Sequence, residues 1–290
     1  MIVSDTDARL LAPAALLASM VSLCVGTSWA KTLFPVAGAA GMTALRIGLA
    51  MLLLVAVQRP WRWRLSDEQA RAVVVYGLVL AGMNLCFYAA VARLPLGIAI
   101  AIEFLGPLTV AVLGSGRKLD LLWVALAAGG VGLLVMPGSA VVLDPVGVGF
   151  ALLAALGWAL YIVTGKRATA IVPERHIVCL GLCAAALVAV PIGAASAGAA
   201  LLDRHVLAVG AVVALLCSVI PYTLELFALK RMPAATFGIL VSLEPAVGAL
   251  AALLVIGETI GGREWIGIAA VVAASIGSTL ARPRAEPLAI

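Results

Sequence analysis

Residues 87–107 read FYAAVARLPLGIAIAIEFLGP and residues 225–245 read ELFALKRMPAATFGILVSLEP. At a constant offset of 138, Ala90, Arg93, Pro95 and Pro107 fall on Ala228, Arg231, Pro233 and Pro245. The correspondence continues more weakly outward, with Trp29-Ala30 against Trp158-Ala159 and WVALAAGGVG (123–132) against WIGIAAVVAA (265–274). Prolines paired at equal spacing are not what chance resemblance between apolar stretches produces. The chain therefore reads as two related halves, residues 1–143 and 144–290.

The surroundings of these stretches set the solvent. Of the 290 residues 64% are hydrophobic and 11% are charged, with a mean hydropathy of +1.19. Too few polar residues remain to cover a globule of this size. A soluble enzyme, a disordered chain and a nucleic-acid-binding domain are excluded as first readings. Ten segments meet the length of about 20 mostly apolar residues that a span needs: 10–29, 39–57, 72–91, 95–114, 120–136, 146–164, 177–197, 206–228, 234–256 and 264–281. The expected fold is all-α, a polytopic membrane protein of ten transmembrane helices. The first segment follows Asp5 and Asp7 and lacks a clean small-residue cleavage site, so it reads as a retained helix and not a signal peptide.

Orientation follows from the basic residues. One side carries Arg9, Arg59, Arg62, Arg64, Arg71, Arg117, Lys118, Lys166, Arg167, Arg175, Lys230, Arg231, Arg282 and Arg284, and the other carries Lys31, Arg93, Arg204 and Arg263. That bias predicts both termini in the cytoplasm. Five spans per half is an odd number, so the second repeat is expected to lie inverted, with Arg93 outside and its counterpart Arg231 inside. Inverted repeats are a signature of alternating-access transporters with a midplane site. The net charge of +5 is thus a topology signal, and Arg59, Trp61, Arg62, Trp63 and Arg64 read as an interfacial anchor on anionic lipid.

The stretches SWAKTLFPVAGAAGMTALRIGLA, GMNLCFYAAVARLPLGIAIAIEFLGPLTVAVLGS, IPYTLELFALKRMPAATFGILVSLEPAVGALAALLVIGET and AASIGSTL resemble the bacterial inner-membrane threonine/homoserine exporters of the EamA branch of the drug/metabolite transporter superfamily. The resemblance covers nearly the whole chain, and EFLGPL and SLEPA are its more specific blocks. It implies two inverted five-helix repeats and export of small hydrophilic amino acids driven by the proton gradient. Members differ in substrate, so another small metabolite is the alternative, and a facilitative channel a more distant one. The implied partners are the amino acid, protons and membrane lipid, with a homodimer as one possible assembly and no nucleic acid.

Charges inside spans need a reason, because each costs about 2.5–3.5 kcal/mol on insertion scales. Glu103 and Glu244 fall near the centres of their segments, Arg46 about a third into its own, and Glu225 one turn from an end. The functional reading is a zwitterion site, a carboxylate for the ammonium and Arg46 for the carboxylate. The structural reading is a packing pair between Arg46 and an acid. Pro107 lacks an N–H, so it frees the carbonyl of Glu103, and Pro221 and Pro245 interrupt their helices in the same way. Asn84 with Tyr88, Trp158 with Tyr161, Tyr222 on the face of Ser218 and Glu225, and Trp29 as the partner of Trp158 complete the candidate cavity.

Several classes find no support. The cysteines, Cys24, Cys86, Cys179, Cys183 and Cys217, lie in apolar stretches without a metal-ligand spacing to His176 or His205, so no metal or cofactor is expected. No GxSxG or HExxH motif occurs, and AAGGVG lacks the Lys-Ser/Thr continuation of a phosphate loop. An enzyme is not expected.

Overall fold

The computed structural model describes residues 5–113, 120–136, 143–229, 231–232 and 234–280. Of the residues used above, Arg117, Lys118, Lys230, Pro233, Arg282 and Arg284 lie outside them. Among the described residues every regular element is helical: α1 (Asp5–Thr32), α2 (Phe34–Gln58), α3 (Asp67–Val91), α4 (Leu96–Glu103), α5 (Leu105–Leu113), α6 (Asp120–Val135), α7 (Pro145–Thr169), α8 (Glu174–Ala197), α9 (Arg204–Ala214), α10 (Ile220–Leu229), α11 (Ala234–Val241), α12 (Glu244–Ile256) and α13 (Gly262–Leu280). A π turn, Leu215–Val219, joins α9 to α10 in one rod.

The helix ends are written locally. Ser66 and Gln69 form a reciprocal capping box at α3, with Asp67 and Glu68 in its first turn, where the helix dipole favours acids. Asp144 caps α7 ahead of Pro145, and Asp203 accepts from the N–H groups of His205 and Val206 at α9. Gly257 ends α12 at φ 68, a left-handed position suited to glycine.

Seven helical stretches are long and apolar enough to cross a membrane, and this is a multi-pass membrane protein. They are α1, α2, α3, α7, α8, the α9–α10 rod and the α11–α12 pair. The other three expected segments differ for visible reasons. Residues Leu96–Val110 of the fourth, interrupted at Phe104, form a shorter apolar stretch, and α13 opens on Arg263 and Glu264. Helix α6 has 16 residues, about 24 Å of rise against a hydrocarbon core of about 30 Å.

Packing follows residue size. Lipid is as apolar as leucine, so helices associate through close approach of small residues and not through leucine burial. Alanines dominate the buried set, while Leu187, Leu113 and Leu254 point outward, the last 82% exposed. Gly97 of α4 lies directly on Ala249 of α12, where any side chain would collide with the alanine. The main packings are α2 on α8, α3 on α7 and α8, α6 on α13, α1 on α10 and α12, α4 on α12, and α5 on α7.

Side-chain contacts set the directions. Ser19 and Ser22 of α1 meet Glu225 and Leu216, so α1 and α10 are antiparallel. Lys31 meets Glu258 beyond the end of α12, and Ser242 meets Ser275 of α13. The start of α1 and the end of α13 therefore share one end of the bundle.

Both ion pairs among the described residues lie at the opposite end. Lys31 Nζ reaches Glu258 Oε1 at 2.6 Å and also donates to Leu94 O at 2.7 Å. Glu258 Oε2 accepts the N–H of Leu96 at 2.8 Å, capping α4 from 162 residues away. Arg93 pairs with Asp144 at 2.9 Å, and this hydrogen bond holds the Asp144 carboxyl below its usual range.

Candidate functional site

The broken and widened helices converge on one cavity. A proline stands just after each break, where its missing N–H leaves the carbonyl four positions earlier without its helical donor. Pro107 follows the break at Phe104 by three residues, and Pro245 follows the break at Ser242 by the same three. Glu103 ends α4 and Glu244 begins α12, so each carboxylate sits at a helix interruption. Irregular backbone at this depth persists where protein or a cavity surrounds it.

Helix α9 meets its proline differently. Ile220 N–H bonds back five residues to Leu215 O, and Pro221 has no N–H to offer. The wide turn and the proline together leave the carbonyls of Leu216 and Cys217 short of helical donors. Side chains from two other helices take them. Ser22 Oγ of α1 donates to Leu216 O at 2.8 Å, and Arg46 Nη2 of α2 donates to Cys217 O at 3.0 Å. Arg46 Nε also lies 3.5 Å from Ser218 Oγ, and its guanidinium stands 5.6 Å from the centre of the Tyr88 ring.

The cavity these elements enclose has a volume of about 340 Å³. Its charged lining is Arg46, Glu103, Glu225 and Glu244; Asn84, Thr27, Trp158 and Tyr161 add polar and aromatic groups, and Cys24, Phe87, Phe104 and Cys217 are among the rest. Arg46 and Glu103 are buried, at 8% and 6% exposure. Glu225 accepts from Ser19 Oγ at 2.9 Å, which turns it inward toward α1 and away from the helix end. Three carboxylates and one guanidinium thus line one otherwise largely apolar chamber, which presents both signs of charge to its interior.

The expected residues divide into two sets. Arg46, Asn84, Glu103, Trp158, Tyr161, Glu225 and Glu244 line the cavity together with Pro107 and Pro221. Trp158 is held edge-on by Phe104 at 5.3 Å, and Tyr161 packs on Tyr76 at 5.1 Å. Tyr88 is fully buried behind Arg46, against Phe34. Pro245 is buried at the start of α12, off the cavity surface. Trp29 is 40% exposed near the end of α1 and is not part of the wall. Tyr222 lies on α10, and its side chain is outside the described residues.

Ser19, Ser22 and Thr27 escaped the sequence reading, although Ser19 ties α1 to Glu225 of α10 and Ser22 and Thr27 tie it to Leu216 and Cys217 of the π turn. Their signal is hydroxyls three and eight positions apart within the apolar stretch of α1 over residues 10–26 and just after it. Among the described residues no group of three His, Cys, Asp or Glu is placed to hold a metal ion.

An all-helical membrane protein with a charged internal chamber between broken helices has the architecture of a membrane transporter. A model of the EamA-like transporter family matches residues 145–280. Two curated relatives, the threonine/homoserine exporter RhtA of Salmonella typhimurium (strain LT2) and that of Escherichia coli (strain K12), are each 45% identical over 269 residues, 91% of this chain and 90% of theirs. The chain belongs to the EamA-like transporter family, and its named relatives are exporters, not enzymes. A crystal structure of a protein 22% identical to this chain aligns over 96% of it and 99% of that protein, with a TM-score of 0.54, a likeness of fold alone.

Proposed function

We propose that this chain is a secondary exporter of small hydrophilic amino acids of the threonine and homoserine type, in the bacterial inner membrane. It works by alternating access between two inverted five-helix repeats, 1–143 and 144–290, with ten crossings and both termini cytoplasmic. The relatives' names support the substrate class, and the observation that carries the reading is the shared chamber of Arg46 and the three carboxylates. Arg46 takes the substrate carboxylate, and Glu103 or Glu244 takes the ammonium. A remaining carboxylate carries the coupling proton.

The packing supports the repeat. Exchanging the halves maps α3 onto the α9–α10 rod and α7 onto α1, and α3 on α7 is matched by α10 on α1. Likewise α4 and α5 on α7 are matched by α12 on α1. The breaks at Phe104 and Ser242 stand at the same offset of 138 as Pro107 and Pro245.

The state is read as closed at the outer end by the ties of Lys31 and Arg93. Counterflow in proteoliposomes against a panel of amino acids tests the function. Threonine and homoserine should exchange, and a preference for an unrelated metabolite would overturn the substrate class. Proton movement in fixed ratio to substrate separates this reading from a channel.

A further inference from the structure

We propose that Pro221, acting with the π turn before it, is the positioning element for Arg46. The inference deepens the reading above and rests on Arg46 as the carboxylate-binding group. A guanidinium on a long side chain loses rotamer entropy when fixed, so an arginine left to wander in a chamber this size would hold one substrate geometry poorly. Here its direction is set by a main-chain oxygen. Cys217 O receives Arg46 Nη2 at 3.0 Å because the wide turn and the missing N–H of Pro221 leave it short of a helical donor. Ser218 Oγ, one residue on, sits 3.5 Å from Nε. The α2 side chain is thereby moored to α9–α10, and a planar fork held in one direction matches the two oxygens of a carboxylate.

The neighbouring carbonyl shows the same logic. Leu216 O is taken by Ser22 Oγ at 2.8 Å, so both oxygens loosened by the turn and the proline are answered by side chains from other helices. Pro221 does not touch the carboxylate in this scheme. It acts through Arg46.

Returning an N–H at position 221 offers these carbonyls a backbone donor in competition with Arg46. The test uses the full chain in proteoliposomes, with Pro221→Ala, Arg46→Gln and the double variant, and with threonine and its carboxamide as probes. Pro221→Ala should raise the half-saturating threonine concentration about tenfold, the scale of one charge-assisted hydrogen bond, with little change in maximal rate. The same substitution should add nothing in the Arg46→Gln background and should leave the carboxamide, which has no carboxylate, unaffected. Ser218→Ala, which only removes the Nε contact, should shift threonine in the same direction by a smaller factor. Equal effects of Pro221→Ala in both backgrounds, or on the carboxamide as well, would make it a packing residue and overturn the proposal. An unchanged threonine affinity in Pro221→Ala with a weakened one in Arg46→Gln removes the positioning role alone. An unchanged affinity in Arg46→Gln removes the carboxylate site and the proposal together.

Discussion

Ser19 donates its hydroxyl to Glu225 Oε1 at 2.9 Å, across 206 residues of sequence. Glu225 lies one turn from the end of α10, where a carboxylate could reach the membrane surface. The bond holds it on the cavity wall instead. Two helices that also pack Leu16 and Met20 with Ala228 and Phe227 are thus joined through a buried serine.

Ser19→Ala leaves that part-buried carboxylate without this donor and should lower stability by about 1–3 kcal/mol. Glu225→Gln keeps an acceptor oxygen for Ser19 and should cost less. Thermal unfolding of both variants in detergent checks the order, and a Ser19→Ala variant as stable as the parent would show the bond to be dispensable.

Reporter fusions after Arg117 and Arg231 should report the cytoplasm, and one after Arg204 the outside. The motive is the basic bias of the loops. A cytoplasmic signal after Arg204 is incompatible with ten crossings.

Lys31→Met removes the link between α1 and the segment after α12. If that link is worth about 1 kcal/mol, its loss shifts a two-state population about fivefold toward opening at that end. Cys24 and Cys217 line the cavity and serve as native reporters once Cys86, Cys179 and Cys183 are replaced by serine. An impermeant maleimide applied outside should label the Lys31→Met variant severalfold faster. Equal rates would mean that the pair does not close the outer end.

Glu103→Gln mimics the permanently protonated acid at the break between α4 and α5. Export driven by an imposed pH gradient should stop, while exchange of labelled for unlabelled substrate persists if the acid serves coupling alone. Normal gradient-driven export in this variant would make Glu103 a packing residue and leave Glu244 as the coupling acid.

How much of this was written in the sequence depends on the range of the interaction. Pro107 and Pro245 announce their breaks because the missing N–H is a covalent property, felt within one turn. Arg46, Glu103 and Glu244 were legible for a similar reason, since an ionisable side chain in an apolar span has few reasons to be there. Trp29 shows the opposite case. Trp158, which the sequence reading pairs with it, lines the cavity, yet Trp29 faces outward, because packing of a whole helix and not local pattern decides which face is enclosed. Glu258 was hidden in the same way. Nothing near it in the chain indicates that its carboxylate caps Leu96.

That cap has a mechanical consequence. Helix α4 is a stiff rod of eight residues, about 10 Å between its first and last α-carbons, held by Glu258 at Leu96 and broken at Phe104 just beyond Glu103. A pivot of only 10° about the capped end would carry the Glu103 end of the rod sideways by about 2 Å, enough to make or lose a hydrogen bond. The ion pair at the rim and the carboxylate in the chamber thus stand at the two ends of one short helix.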